Sequence, residues 1–221
     1  MTNQEIMSMV DHTLLKATAD WASIQALCRE AVLYGAAAVC VPPAYVARIK
    51  ETFGEKPTIC TVIGFPMGYS PTEVKAAEAK QALAEGASEI DMVINLTEVK
   101  NGNFAAVTSE ISRIKEICGN HILKVIIETC YLTEEEKIAL CRCVTEGRAD
   151  YIKTSTGFGS AGASLADIEL FKAHIGPSVK IKAAGGLRTK EDMLAFIRAG
   201  CHRLGASSAA AALGLDIGKG L

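Results

Sequence analysis

Two lysines sit where lysine is seldom tolerated. Lys153 ends ADYIK and is followed by TSTGFGS, and Lys182 lies within VKIKAAGG, so both interrupt apolar runs instead of decorating a polar face. Taken singly, each has a bland reading as an edge or snorkelling lysine. If the runs are neighbouring strands, side-chain alternation can point both lysines inward. Two ammonium groups held together disfavour double protonation, so one is expected to have a lowered pKa and to act as a nucleophile at neutral pH. Asp91 interrupts EIDMVI in the same way, and Asp11 stands in MVDHTLL. A structural ion pair or a helix cap would account for either aspartate alone, but a buried carboxylate without a partner is costly. All four charges at strand ends point to an amine-and-carboxylate site suited to carbonyl chemistry.

Glycine-rich segments follow the lysines. TSTGFGS after Lys153, AAGGLRT after Lys182 and the later GASS place Thr156, Gly157, Gly185, Gly186, Gly205, Ser207 and Ser208 in consecutive loops, with Arg188 at their edge. Any one of them could be only a tight turn. Together they offer amides, hydroxyls and a cation, and they favour a phosphorylated ligand over a neutral one. Cys40 lies near the same end and is read as pocket lining, without nucleophilic duty because no base adjoins it. His12 should face outward if its neighbour Asp11 faces inward. His121, His174 and Trp21 read as structural or exposed groups. Glu128, ending KVIIE, is either a carboxylate supporting the site or a tie to a basic side chain.

These groups need a scaffold, and the chain alternates short β-branched runs with longer helical stretches. Strands are expected at Met9–His12, Ala37–Val41, Ile59–Ile63, Glu89–Ile94, Lys124–Ile127, Asp150–Lys153, Val179–Ala183 and His202–Gly205. Helices are expected at Ala19–Tyr34, Ala44–Thr52, Pro71–Glu85, Phe104–Cys118, Glu134–Glu146, Leu165–His174 and Lys190–Ala199, with a short helical tail after Ser207. Ser70 before Pro71, Thr133 before three glutamates, and Thr189 three residues before Asp192 read as helix starts. Gly35, Gly86, Gly147 and Gly200 read as left-handed helix stops. Continuously apolar parallel strands separated by crossover helices imply both sheet faces are covered. Eight such units fit a compact (β/α)8 TIM barrel with short loops, and residues 1–221 are read as one such domain. An open doubly wound sheet is the rival, because a count of strands does not reveal closure.

Composition narrows the function classes. Lys and Arg number 23 against 25 Asp and Glu, a net charge of −2, which lacks the concentrated positive charge of a nucleic-acid partner. Apolar segments are too short and too often broken by glycine or charge to span a membrane. The opening MTNQEIMSMVDH reads as lacking a secretory signal, and the eight cysteines show no metal-ligand spacing. They are expected to be small buried hydrophobes in a reducing cytoplasm.

The segments DHTLLK, AAVCVPPAYV, TVIGFPMG, EIDMVIN, LKVIIETCYLT, ADYIKTSTGF, VKIKAAGGLRT and RLGASS, in this order across essentially the whole chain, resemble the 2-deoxyribose-5-phosphate aldolase family. The resemblance implies a class I aldolase in which Lys153 forms the Schiff base. It implies that Lys182 tunes the nucleophile, Asp91 manages protons and Asp11 organises Lys182. Gly157, Gly185, Gly186, Gly205, Ser207 and Ser208 would then cradle the phosphate, and the partners would be a phosphorylated sugar and acetaldehyde, with no metal or organic cofactor. Some members carry a lysine after the TSTG run where this chain has Phe158, which shifts that share of the phosphate to backbone amides and Arg188. The chain closes on Lys219, Gly220 and Leu221, so a terminal tyrosine gate does not transfer. A transaldolase-like Schiff-base barrel and a non-catalytic sugar-phosphate sensor remain the other readings, and a homodimer is left open.

Overall fold

The computed structural model describes residues 1–215; residues 216–221, and with them the question of a terminal tyrosine, lie outside the described residues. Eight strands, β1 (Val10–Thr13), β2 (Ala38–Val41), β3 (Ile59–Ile63), β4 (Glu89–Val93), β5 (Ile122–Ile126), β6 (Tyr151–Lys153), β7 (Lys180–Ala184) and β8 (Arg203–Ala206), close in sequence order. All pairs are parallel, and β1 bonds both β2 and β8. That double pairing removes the open-sheet rival. The strands are covered on both faces, which is why β2, β3 and β4 are buried at every position.

The crossovers are α2 (Trp21–Tyr34), α3 (Val46–Phe53), α4 (Thr72–Ala84), α6 (Phe104–Cys118), α7 (Glu134–Glu146), α8 (Leu165–His174) and α9 (Lys190–Ala199). Three short α-helices are also present among the described residues: α1 (Asn3–Met7), α5 (Leu96–Lys100) and α10 (Ala209–Ala212). Of these, α10 is the expected tail, whereas α1 and α5 lie beyond the sequence expectation. Thr2 and Glu5 form a capping box on α1, and Asn95 caps α5, so each had a local start signal on a helix too short to show a period. In α6 the buried Val107, Ile111, Ile114 and Cys118 recur at spacings of four, three and four, one apolar stripe against the barrel. Each fully buried aliphatic of this kind contributes roughly 1.5–3 kcal/mol.

Two expected helix ends differ. The capping boxes at Thr133–Glu136 and Thr189–Asp192 are present, but at α4 it is Pro71, in extended conformation, that takes the cap position, and no side chain caps the helix. Glu73, the expected box partner there, reaches Arg113 instead. Gly35 and Gly200 are left-handed caps and Gly86 also has positive φ, whereas Gly147 is right-handed (φ −70°) and the positive φ falls on Arg148. Glycine is needed at 147 for space, since a Cβ there would come within 2.5 Å of Ile111 Cγ2.

Candidate active site

Parallel register brings the charged residues to one level inside the barrel. Asp91 on β4 is the partner of Lys124 on β5, and Lys182 on β7 is the partner of both Lys153 on β6 and Arg203 on β8. Residues in register point to the same side of the sheet, here the barrel interior. Lys153 and Lys182 each place Nζ 2.7 Å from the same oxygen, Oδ2 of Asp91. Lys182 also donates to Oδ2 of Asp11, while Arg203 donates to Oδ1 of that carboxylate.

Four participants beyond the sequence expectation complete the network. Lys124 Nζ lies 2.8 Å from Asp91 Oδ1 and 2.6 Å from Glu89 Oε2, Arg203 makes a two-pronged contact with Glu89, and Cys60 Sγ lies 3.2 Å from Asp91 Oδ1. Lys124 carries the same signal as Lys153, a charge inside the apolar run ILKVII, but its role depends on the register opposite Asp91.

Neighbouring carboxylates dominate the electrostatics of Lys182 and Lys124. Burial alone would push Lys182 down, but the carboxylates of Asp11 and Asp91 outweigh it and hold the ammonium above its ordinary value. Lys124 is held well above its ordinary range by the same contest, burial against Asp11 and Asp91. Burial opposes ionisation of Asp91, yet Lys124, Lys153 and Lys182 bring its carboxyl well below the usual range. Asp11 is likewise lowered, burial being outweighed by Lys124, Lys182 and Arg203. The cluster therefore contains Lys124, Lys153, Lys182 and Arg203 against Asp11, Glu89 and Asp91.

Above this layer opens a cavity of about 430 Å³ at the C-terminal ends of β1, β6, β7 and β8. Its wall includes Lys153 and every residue expected to meet a phosphate: Thr156, Gly157, Gly185, Gly186, Arg188, Gly205, Ser207 and Ser208. Gly205 also makes room, since a Cβ there would stand 2.9 Å from that of Ala184 and 3.5 Å from Lys182 Cε. Thr156 is less free than expected, because its hydroxyl donates to Glu128 and accepts from the Phe158 amide. Glu128 is thus a brace for this loop, and it also accepts from the Thr156 amide at 3.2 Å.

Cys40 departs from the expectation of pocket lining. It is fully buried with Ala38, Cys60 and Val62, covered by Leu15 and Phe65, and is not part of the cavity wall. Its place in mid-strand β2 puts it below the mouth. His12 faces outward, as expected, and meets Glu30 at 2.8 Å. All eight cysteines are free thiols and seven are buried, Cys130 being half-buried. Donor atoms of Cys40, Cys60 and Asp91, and of Asp11, Cys60 and Glu89, converge closely enough to suggest metal ligation. Their carboxylates are already matched to lysine and arginine cations, an arrangement that fits ammonium groups better than a metal ion.

A DeoC/LacD family aldolase model matches residues 5–220. A deoxyribose-phosphate aldolase from Clostridium botulinum (strain Alaska E43 / Type E3) is 63% identical over 209 residues, 95% of each chain. One from Clostridioides difficile (strain 630) is 53% identical over 205 residues, covering 93% of this chain and 94% of that one. The solved structure of the tetrameric deoxyribose phosphate aldolase from Aeropyrum pernix superposes with a TM-score of 0.89 at 32% identity, over 96% of this chain and 91% of that chain.

Proposed function

The chain belongs to the DeoC/LacD family of aldolases, and on that premise we propose that Lys153 is the Schiff-base nucleophile of a deoxyribose-phosphate aldolase. The reaction is the reversible cleavage of 2-deoxy-D-ribose 5-phosphate to D-glyceraldehyde 3-phosphate and acetaldehyde, a step in deoxyribose phosphate breakdown. The observation that carries the residue assignment is the shared oxygen: Lys153 and Lys182 both meet Asp91 Oδ2, and only Lys153 of the interior lysines also lines the cavity.

In the cleavage direction the neutral amine of Lys153 attacks C1 of the open-chain sugar, and loss of water gives an iminium. Removal of the C3 hydroxyl proton then breaks C2–C3, the bond beta to the iminium carbon, and its electron pair flows to nitrogen as an enamine. C3 becomes the aldehyde of glyceraldehyde 3-phosphate. Protonation at C2 and hydrolysis release acetaldehyde and regenerate the amine. The iminium is the electron sink, so this scheme draws on no metal or organic cofactor.

The site's charge states suggest how protons move. Lys182, kept cationic by Asp11 and Asp91, and Asp91, kept anionic by its lysines, orient the Lys153 amine through a shared oxygen. Both are held away from neutral titration, so a proton passes through them only when the charge on Lys153 changes, as it does on iminium formation and hydrolysis. Asp11 acts on Lys182, and Lys124 balances Asp91 from the opposite side. Thr156, Gly157, Gly185, Gly186, Arg188, Gly205, Ser207 and Ser208 are the proposed phosphate end of the cavity. The full length, 1–221, is proposed as one aldolase domain. Free cysteine thiols throughout fit a cytoplasmic location, and among the described residues no helix is long and apolar enough to cross a membrane. The assembly put forward is a homodimer, which light scattering checks.

The direct test is acetaldehyde release from 2-deoxyribose 5-phosphate with EDTA present. Steady turnover is expected. Activity lost on chelation and restored by a divalent metal would contradict the scheme, and selective cleavage of a different sugar phosphate would favour the transaldolase-like reading.

A further inference from the structure

We propose that Lys16, in the loop after β1, supplies a phosphate-binding cation for this aldolase. The assignment rests on the aldolase reading above and deepens it.

Three observations converge on Lys16. The cavity wall holds three charged residues, Lys16, Lys153 and Arg188; all are cationic and no carboxylate joins them, in a chain whose net charge is −2. Such a one-signed wall favours an anion. Lys153 is committed to Asp91, and Arg188 lies close enough to Asp192 to lower that carboxyl. Neither the Lys16 ammonium nor the Arg188 guanidinium makes a side-chain hydrogen bond or ion pair among the described residues. Arg188 is tied to Asp192 through its backbone amide and its charge, which leaves Lys16 as a second cation open to a ligand.

Strand order places it correctly. β1 pairs with β8, with Asp11 opposite Gly205 and His12 opposite Ala206, so the loop carrying Lys16 runs beside the loop carrying Ser207 and Ser208. The root of the loop is fixed, since the Leu14 amide bonds to the Cys40 carbonyl and the Ala19 amide to the Lys16 carbonyl. The flexible side chain is therefore presented from a held backbone. Across the cavity, the residue after Gly157 is aromatic, and the Phe158 ring packs edge-on against Phe65 at 5.4 Å between centroids. A phosphate seated on the amides of Gly157, Gly185 and Gly186 and on the two serine hydroxyls would meet Lys16 from the β1 side and Arg188 from the β7 side.

The test compares Lys16→Gln and Lys16→Arg with the unaltered enzyme on 2-deoxyribose 5-phosphate and on unphosphorylated 2-deoxyribose. For Lys16→Gln, KM for the phosphorylated sugar should rise about ten- to a hundredfold, the range spanned by hydrogen bonds to charged groups. Its kcat/KM for the unphosphorylated sugar should stay within about twofold, and inorganic phosphate should inhibit it correspondingly less. Lys16→Arg, which keeps the charge, should recover most of the KM. An unchanged KM in Lys16→Gln, or equal losses on both sugars, would overturn the assignment of Lys16 alone. An unaltered enzyme that cleaves neither sugar would instead overturn the aldolase reading, and Lys16 with it.

Discussion

At the scale of single residues, the site is a buried charge balance in which each group depends on its neighbours. Asp91 accepts from three lysines, so its removal leaves like charges confined together. Asp91→Asn should lower kcat by about 10²–10⁴ through lost proton transfer and should cost about 3–5 kcal/mol of stability, the range for breaking a buried pair. The pH dependence has a definite sign. A carboxyl depressed in the folded state contributes its full stabilisation above its ordinary value, 3.8 for Asp91, and loses it as pH falls through the folded value. In urea titrations, the stability gap between the unaltered protein and Asp91→Asn should be flat above that pH and narrow below it; a gap that narrows toward neutral pH would contradict the charge assignment. Lys153, Lys182, Asp91 and Asp11 were legible in the sequence because a charge inside an apolar strand needs a reason. Glu89, Lys124 and Arg203 were not singled out. Their importance comes from cross-strand register, Asp91 opposite Lys124 and Lys182 opposite Arg203, which a single chain of letters does not display.

At the scale of elements, helix ends separate side-chain capping from mere punctuation. Thr133 caps α7 through the Glu136 amide and receives the reciprocal contact, whereas the Ser70 side chain makes no cap for α4. Thr133→Ala should therefore cost about 1 kcal/mol in chemical denaturation, and Ser70→Ala close to nothing. A comparable loss in both would contradict this distinction. Gly147 belongs to a different class, because its missing Cβ clears Ile111 on α6. Gly147→Ala should cost about 1–3 kcal/mol by overpacking, and Ile111→Ala, which deletes the Cγ2 methyl of that contact, should relieve part of it in a double-mutant cycle. Additive losses would remove the steric explanation. The long helices α6, α7, α8 and α9 were legible to the residue, since apolar period and end signals agree there. The five-residue α1 and α5 offer a cap but too few turns for a period, and strand ends drifted by a residue or two because both faces are apolar.

At the scale of the whole molecule, the barrel gathers residues from strands far apart in sequence and presents a cationic cavity on a weakly anionic protein. Eight alternations of strand and helix were legible; closure was not, because it is decided by the pairing of the short β1 with β8. Raising ionic strength through about 0.15 M should increase KM for the phosphorylated sugar and leave the unphosphorylated sugar nearly unaffected. An equal response of both sugars would remove the electrostatic account of the cavity. Closure also sets Lys153 at the bottom of that cavity and Lys182 beside it, and the central claim is that Lys153 is the residue that becomes covalently attached. Borohydride reduction in the presence of acetaldehyde, followed by peptide mass mapping, tests it most directly. An N-ethyl group on Lys153, absent from Lys153→Leu, is the predicted result; an adduct on Lys182, Lys124 or any other residue, or turnover retained by Lys153→Leu, would contradict it.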